Sequence, residues 1–298
     1  MDILVTGAGG QLGSELKRML AEGKSELGEL PPCYKVCSVT AVDADVLDIT
    51  DAKAVDQYLY THNFSILFNC AAMTNVDACE SDEETAYRVN AGGPGNLAAS
   101  CRMYGCRLVH VSTDYVFCGN TETPYTEKDV PDPGTAYGRT KLAGERLVLE
   151  ADPEAIVCRT AWLYGGGETN FPRKILRLAR ERGVLKVVTD QKGDPTNAED
   201  LAYEMVRLVA AKEEGVFHCT CGGGPVSRFA FAAAVLKEAG IPCRLEPCVT
   251  KDFPRAAKVP ACSGLSKAKL DSIHMDFLRD WKVALHAWMV KSISKEKR

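Results

Sequence analysis

The chain has no apolar run of the roughly 20 residues that a membrane-spanning helix needs. Nor does it have a basic tract longer than a few residues. The nearest is the tail Lys295-Glu296-Lys297-Arg298, and the formal net charge is -4. Binding a phosphate backbone takes clustered Lys and Arg, so nucleic acid is excluded as a partner class, as is a membrane. No pair of C-x-x-C motifs occurs among the thirteen cysteines, whose closest spacings are Cys33 with Cys37 and Cys219 with Cys221. That is not the ligand pattern of a structural zinc site, and no metal is expected. An odd count, with Cys70 and Cys158 inside apolar runs, fits reduced thiols in a cytoplasmic protein. A leader peptide is not expected either, because Met1 leads almost at once into the apolar run Ile3-Leu4-Val5.

The remaining composition is that of an ordinary globular protein, 46% hydrophobic and 26% charged. Its 298 residues suffice for one large α/β domain, or for a nucleotide-binding domain with a smaller one. The chain opens strand, glycine turn, helix: Ile3 to Thr6, then Gly7-Ala8-Gly9-Gly10-Gln11-Leu12-Gly13, then Leu12, Leu16, Met19 and Leu20 at helical spacing. In that context Gly7, Gly10 and Gly13 read as a phosphate-binding turn, where the backbone approaches a pyrophosphate and a helix N-terminus offers free N–H groups. A second strand over residues 36–42 ends in Asp43, placed to bond the ribose hydroxyls of a dinucleotide. Asp48 and Ile49 follow, near the adenine. Residues 23–32 read as an inserted loop. Residues 65–70 and 107–112 read as further strands separated by a helical stretch over 81–104. Strands alternating with helices imply a doubly wound parallel sheet covered on both faces. Residues 7–13, Ala71-Ala72 and Ser112-Thr113 all fall at carboxyl ends of strands, where such sheets bind ligands.

Tyr137 and Lys141, four residues apart, share one face of a helix. A lysine ammonium beside a phenol favours the phenolate and lowers a pKa of about 10, which makes the pair a usable general acid/base at a carbonyl oxygen. Gly144 sits mid-helix at a cost of about 1 kcal/mol against Ala, which predicts close packing there.

Taken together the motifs resemble the extended short-chain dehydrogenase/reductases, and more narrowly the dTDP-4-dehydrorhamnose reductase family. They run through residues 7–13, Ala71-Ala72-Met73-Thr74-Asn75-Val76-Asp77, Val111-Ser112-Thr113-Asp114-Tyr115-Val116-Phe117, residues 137–145, residues 159–165, Asn170-Phe171 and Asp190-Gln191-Lys192-Gly193-Asp194-Pro195-Thr196. The resemblance implies an α/β Rossmann-type sheet over residues 1–160. Residues 161–298 would be mainly a smaller substrate-binding portion, with some segments returning to the sheet. It implies Thr113, Tyr137 and Lys141 as catalytic residues, with Asn90 in support. It implies a cofactor, NADPH or NADH, on Gly7, Gly10, Gln11, Leu12, Gly13, Asp43, Asp48, Ile49, Ala71, Ala72, Tyr137 and Lys141. It implies a nucleotide-sugar substrate on Thr74, Thr113, Asp114, Tyr115, Trp162, Asn170 and Gln191. The reaction implied is reduction of the C4 ketone of dTDP-4-dehydro-L-rhamnose. The alternatives are another nucleotide-sugar reductase or epimerase, or an idle cofactor-binding subunit, against which the intact Thr113, Tyr137 and Lys141 set speaks. A homodimer is compatible, and Glu15 resembles a position of a metal-bridged dimer in some relatives.

Two departures stand out. An arginine resembling a diphosphate contact would be expected before Pro260, where this chain has Val259, with Arg255 or Lys258 as neighbouring cations. An aromatic would be expected after Ser227, where this chain has Arg228. In addition, Asp43, Asp45 and Asp48 stand near the ribose, and residues 36–52 contain no Lys or Arg. That charge favours NADH over a cofactor with a 2′-phosphate, unless Lys17 or Arg18 reaches across.

Overall fold

The computed structural model describes residues 1–121, 123–167 and 169–296, with side-chain surroundings to residue 292. The end of the basic tail, Lys297-Arg298, lies outside the described residues. Six apolar segments form the main strands: β1 Asp2–Thr6, β2 Ser38–Val42, β3 Ile66–Asn69, β4 Arg107–Thr113, β5 Ile156–Thr160 and β6 Gly215–His218. All neighbours pair in parallel, in the order β6-β5-β4-β3-β1-β2. From β1 the chain steps one way to β2 and then back across to β3. The sheet's switch point therefore lies at the end of β1, directly where the glycine turn begins.

The strands bury both faces. Ile3, Val5, Phe68 and Val109 pack under Leu16 and Met19 of α1 (Gln11–Glu22) and under Leu201 and Met205 of α6 (Ala198–Ala211). The alternate residues Leu4, Leu67, Leu108 and Val157 meet α2 (Ala52–His62), α3 (Gly93–Tyr104) and α4 (Ala136–Ala151) through Leu59, Leu97 and Val148. A third cluster joins Ile175 and Leu176 of α5 (Phe171–Arg182), Phe231 and Val235 of α7 (Arg228–Ala239), and Trp281 and Leu285 of α8 (Trp281–Glu296). Short strands tie this region together: Val184–Val188 runs parallel to Arg244–Cys248, and Lys192–Gly193 antiparallel to Val226–Ser227. Among the described residues no helix is long and apolar enough to cross a membrane. All thirteen cysteines are free thiols.

Two local expectations change. The stretch read as one helix over 81–104 is broken into Val76–Ser81, Glu83–Tyr87, a π turn Arg88–Gly92 and α3. Asp82 interrupts it by accepting the Thr85 N–H at 3.0 Å. Pro94 has no N–H to give Asn90, as a regular helix would require. Residues 23–32 are not plain loop: Lys24–Ser25 pairs with Gly28–Glu29.

Candidate active site

The glycine turn is built for close approach. Gly7 has φ +67, and a side chain there would sit 2.6 Å from the Ala71 backbone nitrogen. Gly10 precedes α1 without any side-chain cap. The first N–H groups of the helix are therefore left for an outside acceptor, an arrangement that suits an anion. The Gln11 Oε1 and Thr160 Oγ1 atoms are buried without a hydrogen-bond partner among the described residues. Asp43, directly after β2, accepts the Gly9 N–H at 3.1 and 3.0 Å. The carboxylate is thereby fixed at the turn, with lone pairs to spare.

The catalytic corner lies at the end of β4 and the start of α4. Thr135 caps α4 by accepting the Gly138 N–H at 3.0 Å. Tyr137 thus falls in the first turn and Lys141 one turn further. The Tyr137 phenol has the Thr113 hydroxyl as a hydrogen-bonding neighbour, and burial pushes its pKa up despite that contact. Lys141 Nζ donates to the Val111 carbonyl at 2.6 Å, and burial is the largest influence on Tyr137. The expected lowering of the phenol pKa by Lys141 is therefore corrected: the amine is turned onto the strand end, and desolvation wins.

Beneath Lys141 a polar chain runs through the sheet. Asn69 Oδ1 accepts from the Thr6 hydroxyl at 2.8 Å and from the Ala71 N–H at 3.1 Å. Its amide nitrogen must then donate to His110 Nδ1, 3.0 Å away. His110 is therefore a neutral ring with its proton on Nε2, which faces Lys141 Nζ at 3.3 Å. Burial and Lys141 hold the His110 pKa far below the usual value. The Nε2–H dipole opposes a charged amine, and burial lowers the Lys141 pKa to about 8. One turn beyond Lys141, buried Glu145 takes Ser112 Oγ at 2.5 Å and Arg159 Nε and Nη2 at 2.9 and 2.7 Å. These bonds lock the register of α4 on β4 and β5.

The glycine turn and the catalytic corner open on one cavity of about 800 Å³. Its lining includes Gly7, Gly10, Gln11, Leu12, Gly13, Asp43, Asp48, Ile49, Ala71, Ala72, Thr74, Thr113, Asp114, Tyr115, Tyr137, Lys141 and Trp162. Tyr115 meets Tyr137 edge-on at 5.6 Å between ring centroids. Asp114 accepts from Thr113 Oγ1 at 3.0 Å and from Ser263 Oγ, and burial raises its pKa to about 6. Asn90 supports from behind, its amide bonding both the N–H and the carbonyl of Met73 at 2.8 and 3.1 Å.

Asn170 and Gln191 do not line this cavity. Asn170 caps α5 by accepting the Arg173 N–H at 2.9 Å. Gln191 turns its amide away to Thr250 at 3.0 Å. Arg255 is no free cation: it pairs with Asp77 at 3.1 and 2.9 Å. His110 and Glu145 escaped the sequence reading. Glu145 had a signal, since Tyr137, Lys141 and Glu145 repeat every four residues on one helix face. His110 had none beyond being a lone polar residue in an apolar strand.

A doubly wound sheet with a glycine turn at its switch point and a Thr–Tyr–Lys corner opposite defines a nicotinamide-dependent reductase of the short-chain dehydrogenase/reductase type. The family model described as the RmlD substrate binding domain matches residues 1–293, and the chain belongs to that family. It is 41% identical over 290 residues to the dTDP-4-dehydrorhamnose reductase of Mycobacterium tuberculosis (strain CDC 1551 / Oshkosh), covering 95% of this chain and 90% of that one. A crystal structure of a dTDP-4-dehydrorhamnose reductase from Clostridium acetobutylicum superposes with TM-score 0.92 at 40% identity, over 100% of both chains. The enzyme of that name from Bacillus anthracis, solved with NADP, gives TM-score 0.90 at 33% identity, over 97% of this chain and 99% of that one.

Proposed function

We propose that this protein is an NAD(P)H-dependent dTDP-4-dehydrorhamnose reductase, converting the C4 ketone of dTDP-4-dehydro-L-rhamnose into the alcohol of dTDP-L-rhamnose. The observation that carries the reading is the meeting of Thr113, Tyr137 and Lys141 with the uncapped glycine turn on one cavity.

Gly7, Gly10, Gln11, Leu12 and Gly13 hold the cofactor pyrophosphate against the N-terminus of α1. Asp43 takes the ribose hydroxyls, Asp48 and Ile49 flank the adenine, and Ala71 and Ala72 wall the path to the catalytic corner. Bound there, a reduced nicotinamide supplies the hydride. Tyr137 donates the proton to the ketone oxygen as negative charge builds on it, and its raised pKa keeps the phenol protonated for that step. Thr113 hydrogen-bonds the same oxygen. Lys141 turns from the Val111 carbonyl to the nicotinamide ribose. Thr74, Asp114, Tyr115 and Trp162 enclose the sugar, while residues 161–298, apart from segments such as β6 and α6 that return to the main sheet, mainly receive the nucleotide. The enzyme works in the cytoplasm.

The test is Tyr137→Phe. Its cofactor Kd should stay within about twofold of wild type while kcat falls at least about a hundredfold, the usual scale for a positioned general acid. Wild-type turnover by the variant would remove Tyr137 from the reaction.

A further inference from the structure

Among the described residues lining the cavity only Lys141 and Arg228 carry a positive charge. Lys141 is committed to the catalytic corner: it donates to the Val111 carbonyl here and turns to the nicotinamide ribose in the reaction proposed above. Arg228 is the first residue of α7, and its backbone N–H is fixed to the Gln191 carbonyl at 3.0 Å. Its guanidinium lies over the Trp162 ring, 3.5 Å from the centroid, with Phe171 at 5.1 Å. Stacking on Trp162 covers a face of the group and leaves its in-plane N–H donors for oxygen atoms. No carboxylate among the described residues pairs with it. Asp114, the acid that feels its charge, already takes the Thr113 and Ser263 hydroxyls. Arg228 also acts electrostatically on Tyr115, whose ring edges Tyr137. Arg228, Tyr115 and the proton donor Tyr137 thus line one cavity.

A nucleotide sugar with its C4 ketone at Tyr137 has its anomeric carbon, and the phosphate on it, across one sugar ring. Two negative charges of a diphosphate entering this cavity meet one uncommitted cation. We propose that Arg228 binds the sugar-side phosphate of the substrate, and that Trp162 and Phe171 hold its guanidinium flat for that contact. This inference rests on the nucleotide-sugar reading above. It also accounts for the valine at position 259, where the resemblance led us to expect an arginine: the charge is delivered from α7 instead.

The test compares dTDP with dTMP, which lacks the sugar-side phosphate, by calorimetric titration of the full-length protein and of its Arg228→Met and Arg228→Lys variants. Wild type should bind dTDP at least about tenfold more tightly than dTMP, the scale of one charge-assisted hydrogen bond. Arg228→Met should lose that discrimination, binding the two nucleotides within about twofold of each other with NADH affinity unchanged. Arg228→Lys should recover part of it. Equal weakening of dTDP and dTMP in Arg228→Met would mean that the arginine only props Trp162, and would overturn the inference. So would a variant that keeps its full preference for dTDP. A wild-type protein that binds neither nucleotide would overturn the nucleotide-sugar reading itself, and this inference with it.

Discussion

Asp43 decides the cofactor question at the scale of single residues. Both its oxygens face the Gly9 N–H, so the carboxylate is held at the turn where a ribose would lie. Arg18, one of the two cations placed to offset it, is held by Glu15 at 3.0 Å, Glu22 at 2.8 Å and Glu199 at 2.9 Å. A 2′-phosphate would therefore meet a fixed anion with Lys17 as the remaining candidate from α1, whereas a free hydroxyl can donate to it. Both NADH and NADPH should support turnover, with kcat/KM for NADH at least as high. A preference for NADPH above about tenfold, or ~1.4 kcal/mol, would show that a basic residue overrides Asp43. The acid at this position was legible because it ends a strand beside a glycine turn. His110 was not legible, because its role comes from the Asn69 amide on the neighbouring strand, 41 residues away.

Two helices show how far element-level reading reaches. The mid-helix Gly144 announced close packing, and a side chain there would strike the Asn90 carbonyl. The partner could not be read from sequence, because that carbonyl is presented by a π turn within what periodicity gave as one continuous helix. Gly144→Ala should lower the unfolding free energy by about 1–3 kcal/mol, since backbone cannot step aside as a side chain can. An unchanged denaturant midpoint would contradict that contact. Helix α6 carries a second device, Glu204, fully buried and accepting the Phe277 N–H at 3.0 Å. Burial raises its pKa from 4.5 to about 8, and Asp194 is raised from 3.8 to about 7. Between the unfolded and folded values the folded protein binds more protons. This contribution to stability is thus complete at acid pH and is lost as pH rises through the folded pKa values. The buried neutral rings His110 and His218 act oppositely, but only below their unfolded value of 6.5. From pH 6.5 to 8 the unfolding free energy should therefore fall, on the order of 1–2 kcal/mol. Glu204→Gln, which keeps the acceptor and does not titrate, should remove most of that slope in urea titrations at a series of pH values. An equally steep slope in the variant would place the proton elsewhere.

At the scale of the whole molecule, the order of the sheet turns scattered motifs into one site. Residues 7–13, 43–49, 71–74, 113–115 and 137–141 are far apart in the chain, and parallel strands bring their carboxyl ends to one edge. That convergence was legible because apolar runs, glycine and helical spacing are local signals. The substrate side was less legible. Trp162 reaches the cavity, but Asn170 caps a helix and Gln191 turns to Thr250, and which way a loop side chain points depends on packing that no motif encodes. The central claim is reduction of a nucleotide-linked C4 ketone by this assembled site. Its most direct measurement is the purified protein with dTDP-4-dehydro-L-rhamnose and NADH or NADPH, following loss of reduced-nicotinamide absorbance and identifying the sugar by NMR. One cofactor oxidised for each dTDP-L-rhamnose formed is the predicted result. No oxidation with either cofactor, or a product other than dTDP-L-rhamnose, would contradict it.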